Sequence, residues 1–219
     1  MNYKFSDKVS GLQASAIREI LKFTSEPGVI SFAAGNPAPE AFPSEKVAEL
    51  SAKLLANEPI LAMQYSITEG YPPLRNALKD EKKKKKCFNA EIDDLIITSG
   101  AQQGNELACK VILNEGDTLI CEAPSFIGSI NAFKSYNVNL VGVELENDGI
   151  NLEKLEEAIK SNKNVKLLYL IPNFQNPTGL TMSWEKRKAV YKKKKKLIST
   201  QLNPIKVNKF ISNVKFFFV

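Results

Sequence analysis

The chain has 219 residues, with 30 basic and 24 acidic side chains, a formal net charge of +6 and no histidine. A chain of this length can build one sizeable hydrophobic core. The missing histidine excludes a His-based catalytic triad. The three cysteines, Cys87, Cys109 and Cys121, are not in a metal-like spacing, so a zinc site is not expected either.

The positive charge belongs to the carboxyl-terminal end. Residues 192–219 hold eight lysines and no acidic residue, so residues 1–191 hold 22 basic and 24 acidic residues, a net charge of −2. Without a basic stripe interleaved with aromatics, no nucleic-acid partner is expected. No apolar run approaches the roughly 18 residues of a membrane span, and the polar start does not resemble a signal peptide. We therefore expect a cytoplasmic protein that does not bind membranes.

The first 90 residues mix helical patterns with proline-rich loops. In chain order the pattern predicts a helix over 11–24, a short strand over 29–35, a loop over 36–43, a helix over 44–56 and a helix from about Pro72. Ser44 followed by Glu45 is typical of a capped helix start. Proline is also well tolerated in the first turn of a helix, which favours the last of these predictions.

From residue 93 onward strands and helices alternate. The pattern predicts strands over 93–98, 117–125, 139–146 and 165–172, with helices over 101–113, 127–136, 151–161 and 183–191. Alternation of this kind indicates a largely parallel sheet covered by helices, that is, an α/β fold.

Two lysine runs interrupt this pattern. Lys82–Lys86 is interpreted as a solvated helix end, where basic side chains favour the negative end of the helix dipole. After Lys192–Lys196 the sequence mixes Asn and Lys with Phe and shows no clean period. This favours a frame change or truncation in the gene, with residues from about 193 not native to the fold.

Three predicted strand ends carry residues that could bind a ligand. Ser99 and Gly100 join a strand to a helix, where free N–H groups could bind a phosphate, although the same junction could be a plain tight turn. Phe126 follows the next strand and could stack on a planar ring or simply fill the core. Asn176, before Pro177, could aim its amide at a ligand or only form a turn.

Together, a phosphate cradle, a stacking face and an amide donor suit pyridoxal phosphate. The chain resembles the fold-type-I pyridoxal-phosphate aminotransferases of class I and II, and within them the branch of 2-aminoadipate and kynurenine aminotransferases. The resemblance covers roughly residues 10–191 and rests on five ordered motifs: SFAAGNPAPEAFP, QYSITEGYPPLR, ITSGAQQG, EAPSFIGS and PNFQNPTG. It implies an amino-terminal arm with a substrate loop (1–45), a partial large domain that binds the cofactor (46–191) and a non-native tail (192–219).

The resemblance also implies roles for residues of the cofactor site. Ala101 and Gln102, after Ser99 and Gly100, would bind the phosphate through backbone N–H groups and the Gln102 side chain. Many family members have Ser or Thr in place of Ala101, so one hydroxyl contact is missing. Phe126 would stack on the pyridine ring.

The other implied contacts involve the phenolic oxygen, the substrate and a second subunit. Asn176 would donate a hydrogen bond to the phenolic oxygen of the cofactor. Tyr65 would reach the phosphate of the partner subunit in a homodimer. Gly35 would lie against the carboxylate of the substrate, an amino acid or a 2-oxo acid.

In the family, the Schiff-base lysine, an aspartate for the pyridine nitrogen and an arginine for the substrate carboxylate follow the Asn-Pro-Thr-Gly motif. No aspartate follows Asn176 here, and Lys215 lacks the context expected of the Schiff-base lysine. We therefore expect an aminotransferase by family that is inactive as this chain. One alternative is a non-catalytic fragment that pairs with a full-length subunit. Another phosphate-ligand enzyme is disfavoured, because neither a Gly-x-Gly-x-x-Gly nor a Walker loop occurs.

Overall fold

The computed structural model describes residues 4–10, 28–30, 38–84 and 93–201, except for the side chains of residue 7 and residues 193–201. The chain divides into two compact units, residues 13–71 and residues 1–12 together with 72–219. The predicted helix over 11–24, most of the predicted strand over 29–35, and residues 202–219 of the tail lie outside the described residues.

The helices that the structure describes, in chain order, are α1 (Asp7–Ser10), α2 (Ser44–Asn57), α3 (Pro59–Met63), α4 (Pro72–Lys84), α5 (Gly100–Ile112), α6 (Ile127–Lys134), α7 (Leu152–Ser161) and α8 (Trp184–Gln201), with a 3₁₀ turn at Pro39–Ala41. The strands are β1 (Thr118–Ala123), β2 (Asn139–Glu146), β3 (Gly149–Ile150) and β4 (Val165–Tyr169).

The described part of the smaller unit is helical. Helix α2 confirms the helix predicted over 44–56, whereas α3 was not predicted. The predicted cap at Ser44 is wrong: Pro43 takes the N-cap position and Ser44 is the first helical residue, without a side-chain capping bond. Neither helix has a buried residue. Large apolar side chains of the two helices are therefore exposed: Val47, Leu50, Leu54, Leu55, Ile60, Leu61 and Met63.

The larger unit is built on a mostly parallel sheet with the strand order β3-β2-β1-β4. Strand β1 is parallel to β2 and to β4, and only the short β3 runs antiparallel to its neighbour. The carboxyl ends of β1 and β4 therefore lie at the same edge of the sheet. This confirms the predicted α/β class and puts two of the candidate loops side by side.

Helices cover both faces of this sheet. Along β1 the side chains alternate, so Leu119 and Cys121 pack with helices α5 and α6, whereas Ile120 packs with α7 and α8 on the opposite face. The apolar run of β1 thus follows from burial on both sides, which is typical of parallel sheets.

The strand predicted over 93–98 is absent: these residues form no regular element. Within the described residues no neighbouring strand supplies the ladder of backbone hydrogen bonds that defines a strand. The segment is instead attached to α4, where Arg75 donates to the Leu95 carbonyl (2.6 Å) and to the Asp94 carboxylate (2.9 Å). Ile96 is consequently 54% exposed.

The last helix is longer than predicted. Helix α8 starts at Trp184 and runs through the lysine run to Gln201, past the boundary predicted at residue 192. Whether the tail is native to the fold stays a prediction. Within the described segments, no helix is both long and apolar enough to cross a membrane.

Candidate functional site

The amino terminus of α5 presents an open anion-binding geometry. Gly100 has a φ of 77°, a left-handed conformation that favours glycine, and its N–H donates to the Thr98 carbonyl (2.9 Å). Ser99 is the N-cap residue, but its hydroxyl makes no capping bond. The Ser99 N–H donates to the Gln103 side-chain oxygen (2.5 Å). Beyond Gly100, the N–H groups of the first helical turn, including that of Ala101, have no intrahelical acceptor and are free to bind an anion.

Phe126 lies next to this helix start, across a contact between α5 and α6. The Gln102 side chain donates to the Gly128 carbonyl (3.1 Å). A Cβ atom on Gly128 would lie 2.7 Å from the Phe126 ring and 3.4 Å from the Gln102 side-chain oxygen. The ring and the amide therefore both pack against this glycine. Phe126 is 38% exposed, so part of its side chain is accessible to a ligand. Stacking of its ring on a planar ligand stays a prediction.

The loop after β4 carries Asn176 on a tight turn. The Gln175 N–H donates to the Leu180 carbonyl (2.7 Å), and the Gly179 N–H donates to the Gln175 carbonyl (2.5 Å). Gly179 has a φ of 74°, and the Asn176–Pro177 peptide bond is cis. Asn176 is exposed, and its amide has no hydrogen-bond partner within the described segments. Its donor is thus available to a ligand.

Gln175 links this turn to the loop that carries Phe126. Its side-chain nitrogen donates to the Pro124 carbonyl (2.8 Å), and its side-chain oxygen accepts from the Thr178 N–H (3.0 Å) and hydroxyl (2.6 Å). The same nitrogen lies 3.4 Å from the Glu122 carboxylate. The two loops at the sheet edge are therefore tied together through one amide.

Glu122, at the end of β1, is a buried carboxyl group behind these loops. It is 2% exposed and accepts a hydrogen bond from the Ile171 N–H (3.0 Å). Burial raises the pKa of this carboxyl group above its ordinary value, and the hydrogen bonds from Ile171 and Gln175 oppose that effect. A lone acid within the apolar run TLICEA was a signal that could have indicated this position.

A buried polar network lies beneath the helix starts. The Asn105 amide donates to the Ser129 hydroxyl (2.8 Å), which is hydrogen-bonded to the Tyr169 hydroxyl (2.9 Å). These residues belong to α5, α6 and β4, so the network fixes the two site helices on the sheet. The Asn105 side-chain oxygen and the Ser125 hydroxyl are buried without a hydrogen-bond partner.

Three further reactive side chains that the structure describes in the larger unit, those of Cys109, Cys121 and Lys186, are inert or occupied. Burial raises the pKa of both Cys109 and Cys121 to about 11, so these thiols stay protonated. Lys186 is 8% exposed and paired with Glu146 and Asp148. Burial lowers its pKa, but its hydrogen bonds to the two carboxylates outweigh that effect and raise it overall. Lys186 is therefore a charged structural residue, not a free amine.

The structure thus brings most of the predicted site residues to one edge of the sheet. Residues 99–102, Phe126 and Asn176 surround the carboxyl ends of β1 and β4, although the Gln102 side chain is engaged with Gly128. Tyr65 is fully exposed in the smaller unit. Gly35 lies outside the described residues.

The sequence analysis missed the residues that organise the edge, namely Glu122, Gln175 and Thr178. The roles of Glu122 and Gln175 depend on contacts between segments that are far apart in the chain, and Thr178 acts through its neighbour Gln175. Over the part of the chain with described side chains, no group of three or more His, Cys, Asp or Glu residues could hold a metal ion.

Known proteins similar to this chain include several aminotransferases. A family model for class I and II aminotransferases matches residues 27–199. The aromatic-amino-acid aminotransferase 1 of Thermococcus litoralis is 41% identical over 188 residues, which is 84% of this chain and 45% of that protein. The 2-aminoadipate transaminase of Thermus thermophilus is 43% identical over 175 residues, 80% of this chain and 42% of that protein.

Solved structures agree with these relatives. The kynurenine aminotransferase of Pyrococcus horikoshii superposes with a TM-score of 0.81 at 34% identity, covering 88% of this chain and 48% of that one. The α-aminoadipate aminotransferase of Thermus thermophilus, complexed with N-(5′-phosphopyridoxyl)-L-leucine, gives 0.74 at 39% identity, covering 88% and 46%. The chain spans about half the length of the relatives it matches.

Proposed function

The chain belongs to the class I and II aminotransferases, and we propose that residues 99–102, Phe126 and Asn176 hold pyridoxal 5′-phosphate. The reaction that such a site serves in the family is the transfer of an amino group from an amino acid to a 2-oxo acid. The observation that carries the proposal is the convergence of three complementary groups at one sheet edge. They are an open helix start, a partly exposed aromatic ring and an amide without a partner.

The phosphate fits the amino terminus of α5. Free N–H groups and the positive end of the helix dipole favour a dianion there. Gly100 leaves open space, since nothing lies within 4 Å of the position that a Cβ atom would take. The Ser99 hydroxyl has no capping bond and is available as a further donor.

The flat ring fits between the aromatic and amide groups. The exposed part of Phe126 would stack on the pyridine ring, and the Asn176 amide would donate to the phenolic oxygen. When bound, the cofactor supplies an electron-accepting ring that stabilises negative charge on the α-carbon of the amino acid. This chain's own residues bind and orient that ring, and the buried Ser125 hydroxyl adds a nearby polar group without a partner.

We expect this chain to bind the cofactor without catalysing transamination. No aspartate follows Asn176 to hold the pyridine nitrogen, and the buried Lys186 is paired with two carboxylates. We expect purified chain mixed with pyridoxal phosphate, an amino acid and a 2-oxo acid to show no transamination, and borohydride to trap no single lysine. Transamination by the purified chain would refute this part of the proposal. We also keep the predicted division of the chain into an amino-terminal arm (1–45), a partial large domain (46–191) and a tail (192–219). A cytoplasmic location is likewise part of the proposal.

Pairing with another subunit is the second candidate role, either as a homodimer or with a full-length aminotransferase. Helices α2 and α3 favour it, because they expose large apolar side chains and bury none. Contiguous apolar surface of this kind is typical of an interface. Co-purification with a full-length subunit, or a dimer in analytical ultracentrifugation, is expected. A strict monomer that ignores the full-length subunit would contradict it.

The binding proposal is tested with pyridoxamine 5′-phosphate, which carries an amine in place of the aldehyde and so does not attach to surface lysines. Fluorescence titration of the purified chain is expected to give saturable binding. Asn176→Ala is expected to weaken binding about tenfold, the value of one good hydrogen bond. Phe126→Ala is expected to weaken it by a similar factor through lost stacking.

Asn173→Ala provides the matched control for the titration. Asn173 is an exposed asparagine of the same loop, but its side-chain oxygen is already used by Arg187 (2.7 Å). Its removal is expected to leave the affinity for pyridoxamine 5′-phosphate nearly unchanged. Absence of saturable binding by the unmodified chain, or equal affinity of the Asn176 and Asn173 variants, would refute the proposed site.

A further inference from the structure

We infer that Gln175 is a positioning residue that couples the loop carrying Asn176 to the loop carrying Phe126, so that amide and ring face a ligand in one arrangement. This inference rests on the proposed function for the nature of the ligand. The coupling of the two loops is a property of the free chain and can be measured without any ligand.

Both polar atoms of the Gln175 side chain make hydrogen bonds. Its nitrogen donates to the Pro124 carbonyl (2.8 Å), two residues before Phe126 and 51 positions from Gln175 in the chain. Its oxygen accepts from the N–H (3.0 Å) and the hydroxyl (2.6 Å) of Thr178, two residues after Asn176. The two loops are therefore joined through a single planar group.

Burial makes this link difficult to replace. Gln175 and Glu122 are each 2% exposed, so solvent cannot readily supply the missing partners when the amide is removed. A buried donor or acceptor that loses its partner carries the full desolvation penalty. Glu122 lies behind the amide nitrogen (3.4 Å) and accepts from the Ile171 N–H (3.0 Å), which limits how the amide can turn.

Two backbone hydrogen bonds of the turn do not depend on the side chain. The Gln175 N–H still donates to the Leu180 carbonyl, and its carbonyl still accepts from the Gly179 N–H, whichever side chain is present. Gln175→Met, which keeps the length and removes both hydrogen-bonding ends, is therefore expected to fold. A role limited to local stability would leave the Phe126 loop unchanged, so the two roles can be separated.

The matched control is Thr178→Val. It removes the hydroxyl that donates to the Gln175 oxygen (2.6 Å) but keeps the Thr178 backbone N–H bond and the donor to the Pro124 carbonyl. We expect it to disturb the turn around Asn176 while leaving the Phe126 loop in place.

The first measurement uses isotope-labelled chain without ligand. In Gln175→Met, NMR is expected to show shifts of the Pro124 carbonyl carbon, the Ser125 amide nitrogen and the Phe126 ring protons, together with shifts at 176–179. In Thr178→Val the shifts are expected to stay within the 175–180 turn. If the Phe126 ring signals of Gln175→Met coincide with those of the unmodified chain, the inference is overturned.

The second measurement is titration with pyridoxamine 5′-phosphate. Gln175→Met is expected to bind about tenfold more weakly, as is expected of Asn176→Ala. Equal affinity of Gln175→Met and the unmodified chain would overturn the inference. If the unmodified chain does not bind the probe, the proposed function fails, and the NMR measurement alone then decides for or against the coupling.

Discussion

The buried network of Asn105, Ser129 and Tyr169 gives a quantitative test of how the two site helices are held on the sheet. Ser129 is fully buried, Asn105 is 2% exposed and Tyr169 is 6% exposed. Ser129 is the middle member, hydrogen-bonded to both of the others at 2.8 Å and 2.9 Å. The Asn105 side-chain oxygen is buried without a hydrogen-bond partner, so it is an unused acceptor beside the network.

Removing the Tyr169 hydroxyl and removing the Ser129 hydroxyl should lower the free energy of unfolding by different amounts. Tyr169→Phe removes one hydroxyl, and Ser129 keeps its bond from Asn105, so the free energy of unfolding should fall by about 1 kcal/mol. The ring contact of Tyr169 with Phe133, at 5.0 Å between centroids, is retained. Ser129→Ala instead leaves the Asn105 amide nitrogen buried without a partner and removes the hydrogen bond between Ser129 and the Tyr169 hydroxyl, which should cost about 2–4 kcal/mol.

Urea unfolding followed by circular dichroism measures these costs, provided that the slope against denaturant stays constant. Ser135→Ala is the matched control, because that hydroxyl donates only to the Ala132 carbonyl within the same turn (2.6 Å). Its expected cost is about 0.5 kcal/mol or less. A Tyr169→Phe variant as destabilised as Ser129→Ala, or a Ser129→Ala variant no worse than the control, would refute the reasoning.

Two further predictions concern the frame of the larger unit. Gly149→Ala should destabilise the chain by about 2 kcal/mol or more, because Gly149 has a φ of 119° and its Cβ would lie 2.7 Å from Met182 Cγ. Gly116→Ala, at a φ of 80° in open space, should cost only about 1 kcal/mol in the same urea unfolding assay. Equal costs of the two substitutions would contradict the steric argument. Asp94 has its pKa lowered from 3.8 to about 2, chiefly by the Lys79 hydrogen bond. The ionised Asp94 carboxylate therefore makes a small contribution to the free energy of unfolding that is present above pH 3.8 and lost as the pH falls towards about 2. Asp94→Asn should make the free energy of unfolding fall less steeply with decreasing pH over this range.

The alternation of strands and helices after residue 100 was predictable, because burial on both faces produces continuous apolar runs such as TLIC and LLY. Strand β2 occupies 139–146 as predicted, and α4 begins at Pro72 as predicted. The strand expected over 93–98 failed for a physical reason. An apolar run becomes a strand only beside another strand, and in the described residues none pairs with it. Local sequence carries no information about such a neighbour.

By itself, the sequence determined the α/β class, the family and the candidate ligand-binding residues Ser99, Gly100, Phe126 and Asn176, since turn chemistry and motif order are local properties. Only the tertiary structure decided which of these residues meet, because β1 and β4 are adjacent and parallel. It alone also assigned Gln102 to the Gly128 carbonyl and linked the two loops through Gln175. Hydrogen bonds between residues 51 positions apart depend on the packing of whole elements, and no local pattern in the sequence records that packing.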